Sequence, residues 1–66
     1  MRVIVNGEPH ELTDGLTVAG LISQLSLNGR RIAVEVNREI LDRESYAACS
    51  LTDGDEIEIV HFVGGG

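Results

Sequence analysis

The stretch Glu56-Ile57-Glu58-Ile59-Val60-His61-Phe62-Val63-Gly64-Gly65-Gly66 alternates charged and aliphatic residues over its first half, then ends in three glycines. A period of two sends successive side chains to opposite faces of a β-strand. Ile57 and Ile59 therefore point into a core, while Glu58, Val60 and Phe62 point the other way. The strand predicted over Glu56 to Phe62 is long enough to lie centrally in a sheet, beside the strand at the N-terminus. The glycines after it contribute nothing to a core and carry a large ordering entropy, so stability does not explain them.

Upstream, Thr52-Asp53-Gly54-Asp55 reads as the turn that delivers this strand. At the other end of the chain, Arg2-Val3-Ile4-Val5 is a short β-branched run followed by Asn6-Gly7, the strongest two-residue hairpin signal. A second strand is predicted from about Glu8 to Leu12, with Pro9 limiting its hydrogen bonding. In Leu16 to Leu25, Thr17 suits an N-cap, and Val18, Leu21, Ile22 and Leu25 share one helical face. Gly20 inside this helix costs about 1 kcal/mol of propensity. Leu27-Asn28-Gly29 is the predicted stop. Ile32 to Val36 reads as a third strand closed by Asn37-Arg38, and Glu39-Ile40-Leu41 adds a short edge segment. Arg43 to Cys49 reads as a helical turn burying Tyr46 or Leu51.

The element order β, β, α, β, irregular, β lets one helix cover one face of one mixed sheet, the smallest layering that buries both apolar surfaces. The predicted organisation is one α+β domain over residues 1–63 and a flexible glycine tail over 64–66. A chain of 66 residues buries only roughly 60% of its unfolded surface, so that core must be simple.

Charge narrows the partners. The chain carries a net charge of −6, and its five basic residues are scattered arginines. Phosphate backbones need a concentrated basic footprint with stacking platforms, so nucleic acid is not an expected partner. A basic protein surface fits better. No apolar run approaches membrane-spanning length and no signal peptide is apparent, so no membrane partner and a cytosolic setting are expected. One cysteine, Cys49, makes no internal disulfide and no metal or iron–sulfur spacing, which excludes a ferredoxin-like redox role.

Catalytic constellations are absent from the sequence. His10 and His61 stand alone, the first expected to be solvated and the second structural, and Cys49 among alanines reads as a small buried filler. Glu56 and Glu58 read as a solvated strand face. Chemistry is left to the tail. Without Cβ atoms, Gly64, Gly65 and Gly66 form a strip that passes a channel too narrow for other residues, reaching about 10 Å when extended. A main-chain carboxylate at Gly66 is ionised at neutral pH and a poor acyl donor until activated. Adenylation would make it an electrophile, and sulfur could then replace oxygen without help from any side chain of this chain. The absence of lysine would leave an activated end with no ε-amine to acylate. Val60, Phe62 and Ile4, with Glu35 and Glu58 alongside, are expected to form an apolar docking patch with an acidic rim.

Val3 to Gly7, Leu16-Thr17-Val18 before Leu21, Val34-Glu35-Val36-Asn37-Arg38-Glu39-Ile40, Arg43-Glu44 and Asp53 to Gly66 together resemble the sulfur carrier family of thiamin biosynthesis, end to end. The family often has proline where this chain has Asp42. The resemblance implies a ubiquitin-like β-grasp fold, a mixed four-to-five-stranded sheet on one main helix. It also implies a protein co-substrate rather than an enzyme, with no bound cofactor. An E1-like adenylyltransferase using ATP with Mg²⁺ would activate Gly66, and a cysteine desulfurase-type source would supply sulfur. Thiazole synthase would then receive it. Similar alternatives are the small subunit of molybdopterin synthase, whose relatives carry prolines before the glycines, and carriers for cysteine synthesis or tRNA thiolation. A non-covalent β-grasp interaction module with an incidental tail is the alternative of a different class.

Overall fold

Alternation, turn chemistry and one helical stripe resolve into seven elements in the computed structural model, which describes residues 1–62. These are β1 (Arg2–Val5), β2 (Glu8–Glu11), α1 (Val18–Gln24), β3 (Ile32–Val36), β4 (Glu39–Leu41), a 3₁₀ turn (Arg43–Ser45) and β5 (Glu56–His61). The strands form one sheet in the order β2-β1-β5-β3-β4. Each hairpin is antiparallel, β3 and β5 are antiparallel, and β1 and β5 run parallel. The last strand thus lies at the centre beside the first, as its length and alternation predict, and the chain has the β-grasp arrangement of one helix on a mixed five-stranded sheet.

Both hairpins close on two-residue turns with positive φ at each central position, Asn6 (50°) and Gly7 (84°), then Asn37 (51°) and Arg38 (71°). This type I′ geometry matches the twist of the flanking strands. The second turn uses arginine where glycine is preferred, at a cost of about 1 kcal/mol. In the first hairpin, Val5 and Glu8 form the closing hydrogen-bonded pair, so Pro9, opposite Ile4, falls at a non-bonding position. Its missing N–H faces outward on an edge strand, where it is harmless.

Thr17 caps α1, its Oγ1 accepting from the Gly20 N–H at 3.1 Å. Gly20 has a local reason beyond propensity. A Cβ there would stand 2.6 Å from Leu16 Cδ1, so glycine lets Leu16 fold over the first turn. The helix stops earlier than the Asn28-Gly29 signal suggests. Ser26 takes φ 60°, the Ser26 N–H donates to Ser23 O at 3.0 Å, and the Leu27 N–H donates to Ile22 O at 3.0 Å. That pair of bonds is a Schellman ending with serine in the usual glycine position.

The core is wholly aliphatic: Val3 and Val5 from β1, Ile32 and Val34 from β3, Ile57 and Ile59 from β5, Val18, Leu21 and Ile22 from α1, and Leu51. Of the two alternatives for the irregular segment, Leu51 enters the core and Tyr46 packs half-buried against it. Two expectations need correction. Cys49 is half-buried rather than a buried filler, because its carbonyl accepts from Val18 N–H at the rim of the helix. His10 is half-buried rather than solvated, since the register sets it opposite fully buried Val3 on the helix-covered face. Among the described residues, no helix is long and apolar enough to cross a membrane.

Asp55 fastens the start of β5. Its carboxylate accepts from the Thr52 N–H (2.8 Å), the Thr52 hydroxyl (3.0 Å) and Asn37 Nδ2 (3.0 Å). Partial burial pushes its pKa up, but the bonds from Thr52 N–H, Asn37 and the Thr52 hydroxyl together outweigh it and hold the pKa below the ordinary carboxylate value. A depressed folded pKa stabilises the native state above the unfolded value, and that stabilisation is lost as pH falls through the folded one. Urea denaturation should therefore find Asp55→Ala about 1 kcal/mol less stable at pH 7, a figure kept small because the group is only half-buried and partly screened by solvent. The difference should shrink in strong acid. A gap that is constant with pH would assign the effect to packing rather than to the charge.

Candidate functional site

The helix covers one face of the sheet, leaving the other to solvent. The β5 pattern confirms the inward pair: Ile57 and Ile59 are buried, whereas Glu56, Glu58, Val60 and Phe62 are exposed. Cross-strand register then places the neighbours of each outward residue. Glu58 lies opposite Glu35, which lies opposite Ile40; Val60 lies opposite Ala33; and the Phe62 N–H donates to Arg31 O at 2.9 Å. Val60 and Phe62 are 50% and 58% exposed, making an apolar end to the face next to the tail.

Ile4 shares this face but not this patch. Its partner on β5 is Glu56, so four residues, about 13 Å of strand, separate its level from that of Val60. Glu58 lies between them. The surface is thus an acidic band of Glu35, Glu56 and Glu58 with Val60 and Phe62 beyond one side and half-buried Ile4, beside Pro9, beyond the other. Alternation gives the face of each residue correctly, but it carries no information on relative register. Ile40 was missed. At 77% exposure it is the most exposed large hydrophobic among the described residues, and its place in a short edge segment was the available signal.

The acidic band sets like charges against each other. Glu35 and Glu58 stand directly opposite each other, an arrangement in which like charges repel. Among the described residues, the two ion pairs are Met1 N–Asp14 and Arg2–Glu11, so no arginine neutralises the band. A basic partner surface would relieve that repulsion.

No constellation for catalysis forms among the described residues. No group of three His, Cys, Asp or Glu side chains converges on one point. A shallow groove of about 300 Å³ is lined by Val36, Asn37, Glu39, Ile40, Leu41 and Cys49, with no histidine among them. The glycines singled out in the sequence, Gly64, Gly65 and Gly66, lie outside the described residues.

Comparison with known proteins agrees with this architecture. Residues 3–66 match the model of the ThiS family. The chain is 46% identical over 50 residues to a protein named sulfur carrier protein ThiS from Bacillus subtilis, covering 76% of each. It is 42% identical over its full length to a protein named thiazole synthase from Paramagnetospirillum magneticum, and spans 20% of that protein's length. A crystal structure of the thiamine biosynthesis protein ThiS from Geobacter metallireducens superposes with a TM-score of 0.85 at 38% identity, covering 100% of both chains.

Proposed function

Because this chain belongs to the ThiS family, we propose that it is a sulfur carrier of thiamin biosynthesis whose cargo is borne on the main-chain carboxyl of Gly66. One carboxylate oxygen attacks the α-phosphorus of ATP at an E1-like adenylyltransferase, releasing pyrophosphate and leaving an acyl adenylate. The outer sulfur of an enzyme persulfide from a cysteine desulfurase-type source then attacks the acyl carbon, and AMP leaves with that oxygen, giving an acyl disulfide. A thiol reductant attacks the enzyme sulfur of this disulfide, the S–S bond breaks, and the end is released as a thiocarboxylate. The activating enzyme holds the Mg²⁺ and ATP; this chain supplies an unhindered carboxyl on a strip without side chains.

The observation that carries the reading is the family match, which runs through the glycine end to residue 66. Thiazole synthase is the proposed acceptor of the sulfur. That a protein of this name contains a region similar to this whole chain supports it over the acceptors of other sulfur pathways. The described side chains act in recognition. Val60 and Phe62 supply the apolar contact next to the tail, and Glu35, Glu56 and Glu58 supply charge for a basic partner.

Mass spectrometry tests the chemistry. Incubation with ATP, the adenylyltransferase, a sulfur source and a thiol reductant should exchange one oxygen for sulfur, and fragmentation should locate the change at the last residue. Exchange elsewhere in the chain would overturn the reading. Phe62→Asp tests the surface. It should raise the Kd for the adenylyltransferase about tenfold or more, while shifting the melting temperature by no more than about 4 °C, because an exposed position contributes little to stability. A collapse of folding would place Phe62 in the core instead.

A further inference from the structure

The hydrogen-bond directions along β5 divide it into a closed half and an open half. Its even-numbered residues serve β3: the Asn37 N–H donates to Glu56 O (2.7 Å) and the Phe62 N–H to Arg31 O (2.9 Å). Its odd-numbered residues serve β1, as shown by Asn6 N–H donating to Ile57 O at 2.9 Å. The backbone pairing of β1 with β5 ends at Val5 and Ile57, because the chain turns away at Asn6-Gly7. The next rung is made by a side chain. Asn6 Oδ1 accepts from the Ile59 N–H (2.7 Å) and Asn6 Nδ2 donates to Ile59 O (3.2 Å), so its amide takes the place of a peptide group.

His61 is the next odd-numbered residue, and Asn6 does not reach it. Among the described residues no backbone group pairs with the His61 N–H or C=O from that side, and the residue is exposed. The outer edges of the sheet are protected by other means. The β2 edge carries Pro9, and β4 is only three residues long with a charged start at Glu39. Short strands, proline and charge are the usual ways of blocking strand addition. The edge of β5 next to the tail has none of them.

We infer that this open edge receives an extended backbone segment of the adenylyltransferase, which pairs with the His61 N–H and C=O along the line where β1 stops. Such strand addition takes its affinity from main-chain bonds and its selectivity from alternate side chains, here Val60 and Phe62 on the outward face. Pairing at His61 places the contact five residues before the carboxyl to be activated. A second copy of this chain is the disfavoured occupant, because each copy carries a net charge of −6 and would be repelled. The inference rests on the proposed function, since it assigns the edge to the enzyme that activates Gly66.

Two variants of the full chain test it. His61→Pro removes an N–H that no described internal bond uses and puts the ring in the open side, whereas His61→Ala keeps the N–H. Proline should raise the Kd for the adenylyltransferase about tenfold or more, while alanine leaves it within about twofold. Circular dichroism and melting of both should stay near those of the parent chain. Equal binding by the two variants overturns the inference. Residue-resolved amide exchange on the unaltered chain gives an answer even if the proline variant misfolds. The His61 amide should exchange fast when free and become protected on binding; a bound amide that still exchanges fast overturns the inference, as does protection that rises with concentration without enzyme. Sulfur exchange at Gly66 in the unaltered chain, with an unprotected His61 amide, would reject the edge contact while leaving the carrier function standing.

Discussion

Ile57→Ala is expected to lower the unfolding free energy by about 3 kcal/mol, within the range measured for removing a buried isoleucine side chain down to its Cβ. Ile57 is 1% exposed. It sits on the central strand with Val5 beside it on β1 and Val36 beside it on β3, so the surroundings are held by strands on both sides and have little freedom to collapse into the void. A domain of this length has a total stability on the order of 3 to 10 kcal/mol, which makes one such cavity enough to leave much of the protein near its unfolding midpoint at moderate urea. Val60→Ala, three residues along the same strand, should change stability by no more than about 0.5 kcal/mol, because its side chain is half exposed on the face away from the core. Urea denaturation of both variants reads the contrast directly. Equal losses would mean that β5 does not present one face to the core and the other to solvent.

Much of this architecture is legible because each element has a local cause. The Glu56 to Val60 alternation, the Val18, Leu21 and Ile22 stripe, and the Asn6-Gly7 turn each act within a few residues, and each predicted element is present. What escaped reading depends on distance. Asn6 and Asn37 look like turn residues, chosen for tolerance of positive φ. Both also turn their side-chain amides on β5: Asn6 bonds both main-chain groups of Ile59, and Asn37 Oδ1 accepts from the Glu56 N–H at 3.0 Å. Thus each hairpin is tied to the central strand by the first residue of its own turn, a link spanning 53 positions in the case of Asn6. No window of sequence contains it.

The candidate surface divides in the same way. Alternation assigned Ile4, Glu35, Glu58, Val60 and Phe62 to one face, since a period of two needs no knowledge of partners. It did not place Ile4 opposite Glu56, because sliding one strand along another by two residues preserves every face while changing every neighbour. The acidic band emerges only from the register. Glu35 and Glu58 are remote in sequence and directly opposed in the sheet, where their repulsion opposes folding. This pairing, next to exposed Val60, does not serve stability, and it fits the basic partner surface proposed above.

Converting the Gly66 carboxylate to a primary amide by chemical ligation is expected to abolish sulfur uptake, and removing Gly66 to slow it by about 100-fold or more, while both leave the melting temperature unchanged. The two changes act differently. The amide retains the length of the tail but lacks the anionic oxygen that, in the proposed mechanism, attacks ATP, so no acyl adenylate should form and no sulfur should displace AMP. The deletion retains a carboxylate, now on Gly65, but withdraws it by one residue, about 3.5 Å of extended chain. Misplacement by even 1 Å costs on the order of 10²-fold in a reaction that depends on held geometry, so the shortened tail should load more slowly by at least that factor. Among the described residues, none of the ten buried core side chains lies beyond Ile59, which is why folding should not register either change. Pyrophosphate release and thiocarboxylate mass measure the loss in vitro, and growth without thiamin in cells lacking their own carrier measures it for the deletion. Loading of the amide at the rate of the parent chain would show that the reacting atom lies elsewhere, and the carrier would then have to be sought among the side chains of the folded body.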